Sequence, residues 1–257
     1  MNIFDFHLHT GYDFHDNNID PQYFKDTLTK NGMTGAAGSF INKAMNKQPL
    51  ENYPELIKNA NRAGWEFNKM FPDFFVPGIH IHPEFVTLSC EQIIEHKRRG
   101  FNLIGELVGY MMWFDFNHKN WSEILTLANE NEMVISFHTP KQDFDALANH
   151  ARQFKNIKFV IAHLDGYRLY DTCISLMREC ENVYADISAH GADRKGMLKD
   201  AVSKVGSHKI LYGTDYPGID GNTWTHKFTN YVLNEDISDA DRENIMYKNA
   251  KTLLNVK

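Results

Sequence analysis

The chain alternates between short apolar runs and longer segments with helical periodicity, and this alternation limits the folds open to it. Eight runs rich in Ile, Val and Phe begin 25–39 residues apart, and helical segments fill most of the intervals. Eight strand–helix units in 257 residues are typical of an α/β protein with a (β/α)8 TIM barrel, and we predict one domain over residues 1–257. The runs are IFDFHLHT, GAAGSF, FFVPGIHIHP, NLIGELVGY, MVISFHTP, KFVIAHLDG, VYADISAH and KILYGTDYP.

Helix-start and helix-end signals support the same division. One predicted helix has Asp20 as N-cap, Pro21 at its first position and Gly32 after its end, and another opens at Ser238 with Asp241 three residues later. A doubly wound open sheet is the alternative fold. It predicts a glycine-rich phosphate loop after the first strand, where this chain has HLHTGYDFHDNN, so the barrel is favoured.

Composition narrows the partners and the compartment. The formal net charge of −6 argues against nucleic-acid binding, which favours a basic surface. The cysteines, Cys90, Cys173 and Cys180, have neither metal-binding nor disulfide-framework spacing, which indicates a reducing compartment. No run is long enough to span a bilayer. No basic segment followed by an apolar one precedes Ile3, so we expect no signal peptide. We expect a cytoplasmic protein without a membrane partner.

Histidine and carboxylate side chains gather at the ends of the predicted strands, where the active sites of TIM barrels lie. His7 and His9 are two residues apart on one strand and therefore share a face. Strand eight, which neighbours strand one in a closed barrel, ends in Asp215. Burying these groups without a partner is costly, and a divalent metal ion would satisfy all of them. Glu106, His138 and His163 occupy strands four, five and six.

A mixed set of imidazole and carboxylate ligands suits Zn²⁺ and also Mn²⁺. We predict a divalent metal, with Zn²⁺ first and Mn²⁺ as the alternative, and leave open whether one ion or two are bound. The aromatic segment YMMWFDF after strand four could wall a pocket or pack between the subunits of a homo-oligomer.

The segments DFHLHT, SFHTP, IAHLDG, YGTDYP and NAKTLLNV resemble the amidohydrolase superfamily, especially its amidohydrolase-related branch of metal-dependent hydrolases and decarboxylases. The resemblance covers essentially the whole chain. It implies that His7, His9, His138 and Asp215 surround a metal, and that His163 is a second-metal ligand or a catalytic acid/base.

A partial second resemblance concerns GIHIHPE followed by IGELVGYMMWFDF, which is similar to TatD-type metal-dependent nucleases. There a glutamate matching Glu106 bridges two metals. Many binuclear amidohydrolases instead carry a carbamylated lysine on strand four, and this chain has Glu106 at that place. A single-ion site with Glu106 behind the ligands is equally consistent with the sequence.

The leading hypothesis is a metal-dependent hydrolase acting with a metal-activated water on a small amide, ester or lactone. In it Asp215 is both ligand and proton acceptor, and His163 stabilises developing negative charge. The alternatives are a non-oxidative decarboxylase of a small aromatic or unsaturated acid, a TatD-like phosphoesterase, and a non-catalytic metal-containing binding protein. The side chains predicted to contact a small-molecule substrate are His82, Arg168, Lys141 and Trp113.

Overall fold

The computed structural model contains eight strands that follow the predicted apolar runs. It describes residues 1–10, 19–41, 45, 48–138, 143–164, 168–189, 194–217 and 222–256. The strands are β1 (Ile3–Thr10), β2 (Met33–Phe40), β3 (Phe75–Ile79), β4 (Leu103–Val108), β5 (Val134–His138), β6 (Lys158–Ile161), β7 (Val183–Asp186) and β8 (Ile210–Leu211).

The strands lie side by side in chain order, and every neighbouring pair is parallel. Backbone hydrogen bonds join the first strand to the segment after the last one. Phe6 N donates to Tyr212 O at 2.9 Å, and His9 N donates to Tyr216 O at 2.7 Å. The predicted single-domain (β/α)8 barrel is therefore confirmed.

Helices separate the strands, and two of them begin as the sequence predicts. The Asp20 carboxylate accepts a hydrogen bond from Tyr23 N at 2.8 Å, and Ser238 Oγ accepts one from Asp241 N at 3.1 Å. The α-helices are α1 (Pro21–Lys30), α2 (Tyr53–Met70), α3 (Val86–Arg98), α4 (Gly109–Met112), α5 (Trp121–Glu130), α6 (Phe144–Gln153), α7 (Tyr170–Glu179), α8 (Met197–Val205), α9 (Asn222–Asn234), α10 (Asp239–Glu243) and α11 (Asn249–Leu254).

Apolar side chains close the barrel at the end where its strands begin. One buried cluster takes residues from seven strands together with Ala250 and Leu254 of α11. Helix α11 crosses this end, because Asn102, just before β4, donates to Leu253 O at 2.9 Å. The histidine and carboxylate side chains predicted to bind metal lie at the opposite end, where the strands finish. The strand residues of the cluster are Phe4, Phe6, Ala37, Val76, Leu103, Val134, Val160 and Leu211.

Among the helices that the structure describes, none has the length and apolar character needed to cross a bilayer.

Candidate metal centre

His7 and His9 of β1 meet two carboxylates at the mouth of the barrel. His7 Nε2 lies 3.5 Å from Glu106 Oε2 and 3.6 Å from Asp215 Oδ1. His9 Nε2 lies 3.4 and 3.2 Å from the same two oxygen atoms. The HxH pair and the residue predicted from strand eight therefore surround one small volume.

A second pair of imidazoles faces the other oxygen of the same glutamate. His138 Nδ1 lies 2.9 Å and His163 Nε2 3.4 Å from Glu106 Oε1. The two imidazole rings are 4.9 Å apart and meet edge to face. The six residues predicted to bind metal thus form one cluster, in which the triads His7–His9–Glu106 and Glu106–His138–His163 each have ligand atoms within 4.8 Å of one another.

An irregularity in β4 aims Glu106 into the cluster. The pairing of β4 with β5 shifts register between Ile104 and Leu107, which is the effect of a bulge that redirects a side chain. Gly105 within the irregularity has a φ of +92°, and a Cβ there would lie 2.4 Å from Ser136 O. Only glycine fits this close approach of the two strands.

Asp215 and His163 were predicted to lie at strand ends, but the structure places both beyond them. Strand β8 ends at Leu211 and β6 at Ile161. Both residues adopt left-handed backbone conformations, with φ of 60° and 61°. A hydrogen bond from Asp215 N to His7 O, 2.7 Å long, brings the loop after β8 back to β1.

The hydrogen bonding of His7 indicates that its Nε2 needs a positive partner. His7 Nδ1 lies 2.8 Å from Asp186 Oδ2, so Nδ1 carries a hydrogen that it donates to the carboxylate. In a neutral ring Nε2 then holds a lone pair directed at the oxygens of Glu106 and Asp215. This nitrogen is buried and makes no hydrogen bond within the described part of the chain. The Nε2 lone pair and the carboxylate oxygens repel one another, and a cation between them would bind all three. These ligand atoms therefore fit a divalent metal.

His163 shows the same arrangement in the other half of the cluster. Its Nδ1 lies 3.2 Å from the carbonyl oxygen of Ser188 and 2.8 Å from Ser188 Oγ. A carbonyl oxygen only accepts, so Nδ1 is the donor, and Nε2 presents its lone pair to Glu106 Oε1.

The ionisation of the cluster leads to the same conclusion. Burial disfavours a charged His7, but the carboxylates of Asp186 and Glu106 outweigh it and raise its pKa well above the usual range. Burial is likewise outweighed at His9, where hydrogen bonds to Asp215 and Glu106 raise the pKa to about 9. Burial would raise the pKa of Glu106, but the imidazoles beside it hold that pKa well below the usual range. The carboxylates therefore favour positive charge at the atoms that would bind a metal.

Three buried residues that support the cluster were not predicted as site residues. Asp186 contacts the ring of His7, and Ser188 contacts the rings of both His7 and His163. Asp5 accepts hydrogen bonds from His7 N at 3.1 Å and from Thr214 Oγ1 at 2.6 Å. The spacing DxHxH places Asp5 on the same strand as the histidines and is the signal that could have identified it.

His82 was predicted to contact substrate, but its ring nitrogens are both engaged. The side chain is fully buried, with Nε2 donating to Met112 O at 2.8 Å and Nδ1 accepting from Glu84 N at 3.1 Å. This geometry leaves no nitrogen for a substrate. His82 instead forms a hydrogen bond to the backbone carbonyl of Met112, the residue before Trp113.

The other predicted substrate contacts lie on loops. Trp113 is exposed and has a left-handed backbone with φ of 57°, three residues after Tyr110, whose ring lies 5.3 Å from that of His138. Arg168 is exposed on the segment after β6. Lys141 lies outside the described residues.

Comparison with known proteins identifies a family and several solved structures of similar fold. Residues 53–256 match the family model described as Amidohydrolase. No curated protein sequence gives a match. Many solved structures do match, at identities that show a shared fold alone.

Three of these structures illustrate the range of named activities. One is 2,6-dihydroxybenzoate decarboxylase complexed with 2,6-dihydroxybenzoate, at 14% identity and a TM-score of 0.74 over 99% of both chains. Another is 5-carboxyvanillate decarboxylase from Novosphingobium aromaticivorans complexed with manganese and 4-hydroxy-3-methoxy-5-nitrobenzoic acid, at 12% identity and a TM-score of 0.77 over 99% of this chain and 96% of that one.

The third is a probable 2-pyrone-4,6-dicarboxylic acid hydrolase from Acinetobacter baumannii with citric acid bound, at 16% identity and a TM-score of 0.71 over 98% of this chain and 99% of that one. Since the family model spans most of the sequence, from the second helix to the last, this chain belongs to the amidohydrolase family.

Proposed function

We propose that this protein is a metal-dependent hydrolase that holds two divalent ions and acts on a small amide, ester or lactone. The observation that carries the proposal is the position of Glu106, whose two oxygens each face a different pair of imidazoles. The first ion would be held by His7, His9, Asp215 and Glu106, and the second by His138, His163 and Glu106.

Ions in these positions would lower the pKa of a water molecule and polarise the carbonyl oxygen of the substrate. Asp215 is the carboxylate of the cluster that faces outwards, with 27% of its side chain exposed against 4% for Glu106. Burial raises the pKa of Asp215, but its hydrogen bond to His9 and the nearby imidazoles lower it overall. An ionised, accessible Asp215 can accept the proton of the attacking water and pass it to the leaving group.

Substrate contacts would come from the loops around the mouth. Trp113 and Arg168 are exposed there, and Lys141 belongs to the segment that follows β5. An arginine or lysine would bind a carboxylate of the substrate, and the tryptophan would cover an apolar part of it.

Metal analysis and a substrate panel test the proposal together. Protein purified without chelator should contain close to two equivalents of zinc or manganese. It should hydrolyse at least one member of a panel of small amides, esters and lactones, lose that activity on treatment with a chelator, and regain it with added metal. Metal-replete protein that is inactive on the whole panel would contradict the proposal.

A decarboxylase is the second candidate because two of the similar structures carry that activity in their names. A decarboxylase could use a single bound ion, with Glu106 behind the ligands. Release of CO₂ from an aromatic carboxylic acid by protein with one ion would favour it. Turnover of a phosphodiester by protein with two ions would favour the phosphoesterase alternative.

A further inference from the structure

Asp186 lies behind the candidate metal centre and contacts both of its halves. It is fully buried at the end of β7. Its Oδ2 accepts a hydrogen bond from His7 Nδ1 at 2.8 Å. Its Oδ1 accepts from three donors, namely His163 N at 3.1 Å, Ser188 N at 3.0 Å and Ser188 Oγ.

Ser188 extends this contact to the second imidazole. Its hydroxyl donates to Asp186, so its lone pairs can accept from imidazole N–H groups. Ser188 Oγ lies 2.8 Å from His163 Nδ1 and 3.1 Å from His7 Nδ1. One carboxylate therefore lies behind a candidate ligand of each ion.

We infer that Asp186 is a positioning residue that sets which nitrogen of His7 is free to bind metal. By holding the Nδ1 hydrogen it makes Nε2, which faces Glu106 and Asp215, the nitrogen that is unprotonated when the ring is neutral and that an ion can bind. Through Ser188 it also orients His163. This inference rests on the proposed function in so far as a metal is bound, but the placement of the His7 hydrogen is a property of the chain itself.

The substitution Asp186→Asn tests this role because the surrounding donors dictate how a carboxamide would orient. The three donors at Oδ1 need an acceptor, so the amide oxygen would take that place. The NH₂ group would then face His7 Nδ1, which would have to accept. The hydrogen of a neutral His7 would move to Nε2, and that nitrogen could no longer bind an ion.

Ser188→Ala is the matched control in the same network. It removes one buried hydroxyl but leaves the Asp186 carboxylate opposite His7 and the backbone carbonyl of residue 188 opposite His163. Both imidazoles should keep their hydrogen on Nδ1. A purely structural role for the network would affect both variants alike.

The experiment compares the full-length wild type, Asp186→Asn and Ser188→Ala. Zinc stoichiometry and affinity are measured by competition with a chromophoric chelator, and nitrogen-15 NMR of the histidine side chains locates the His7 hydrogen. For Asp186→Asn we expect the affinity for the first ion to fall by at least about 10-fold and up to about 100-fold. Its His7 Nδ1 should be unprotonated. Ser188→Ala should lose less than about 10-fold.

Wild-type affinity in Asp186→Asn, with the hydrogen still on His7 Nδ1, would overturn the inference, and so would equal losses in both variants. If Asp186→Asn does not fold, the same NMR measurement on the zinc-loaded wild type tests the inference. A hydrogen on His7 Nδ1 supports the inference, and its absence refutes it. A wild type that bound no zinc would refute the proposed function. The state of Nδ1 in Asp186→Asn, recorded at a pH at which His7 is neutral, would still test the role of Asp186.

Discussion

Asp5 and Thr214 join β1 to the segment after β8 through a hydrogen bond of 2.6 Å between Thr214 Oγ1 and Asp5 Oδ2. The other carboxylate oxygen of Asp5 accepts from His7 N and Thr214 N, both at 3.1 Å. Asp5 is fully buried, and burial raises its pKa to about 7. Asp5 therefore connects His7 to Thr214, the neighbour of Asp215.

Replacing Asp5 should therefore cost stability. Asp5→Ala leaves the buried donors His7 N and Thr214 Oγ1 without an acceptor, whereas Thr214 N also donates to His7 O at 3.2 Å. We expect the free energy of unfolding to fall by about 2–4 kcal/mol. Urea denaturation of the metal-free protein measures the change. Asp26→Ala, which removes an exposed carboxylate on α1, is the control and should change the free energy by less than about 0.5 kcal/mol. Equal stability of the two variants would show that Asp5 does not hold this junction.

The two halves of the metal centre should be separable by single substitutions. His9→Ala removes a ligand only of the first ion, and His138→Ala only of the second. We expect each variant to retain about one ion per chain, because Glu106 still serves the intact half. Elemental analysis of the purified variants measures this, with circular dichroism as the check on folding. Retention of both ions by either variant would place the metal elsewhere.

Asp215→Asn should preserve the shape of the site but abolish its base. The amide oxygen can still approach a metal, whereas the group cannot accept a proton near neutral pH. Positioned acid–base catalysis contributes about 10²–10⁴-fold, so the turnover number should fall by at least about 100-fold in metal-loaded protein. The rates are compared at equal metal content on a substrate identified by screening. Near wild-type turnover would mean that another residue accepts the proton.

Trp113→Ala should weaken substrate binding and leave the metal and the fold intact. The side chain is 61% exposed, so its loss should change the free energy of unfolding by less than about 0.5 kcal/mol. We expect a rise in KM with little change in kcat. Tyr23→Ala is the matched control, because Tyr23 on α1 is also 61% exposed. A change in oligomeric state, measured by light scattering, without a change in KM would assign Trp113 to a subunit contact.

His96 should make the protein sensitive to acid. It is fully buried, where Trp65 Nε1 donates to its Nδ1 at 3.0 Å, and burial lowers its pKa from 6.5 to about 3. Below pH 6.5 the unfolded chain binds a proton that the folded chain excludes, so stability falls as the pH falls and is unaffected above that pH.

Because of His96, the free energy of unfolding should be about 2 kcal/mol lower at pH 5 than at pH 7.5. His96→Gln keeps an acceptor for Trp65 but cannot ionise, so its urea midpoint should change less between these two pH values than that of the wild type. Identical changes in variant and wild type would show that His96 does not cause the acid sensitivity.

The barrel, and the residues that it brings together as the candidate metal centre, could be predicted from the sequence because their signals are local. Apolar runs alternating with amphipathic segments determine the order of strands and helices. The spacing of His7 and His9 places both on one face of β1, and the positions of His138 and Asp215 near later strand ends identify them as candidates.

The tertiary structure decided how the imidazoles divide between the two oxygens of Glu106. The register shift beside Gly105 turns Glu106 so that each of its oxygens faces a different pair of imidazoles. Asp186 has its proposed role only because the end of β7 lies beside His7 of β1. His82 does not contact substrate as predicted, because its Nε2 donates a hydrogen bond to Met112 O. Pairings of this kind depend on how the strands are staggered when the barrel closes, which is a long-range property that no local pattern records.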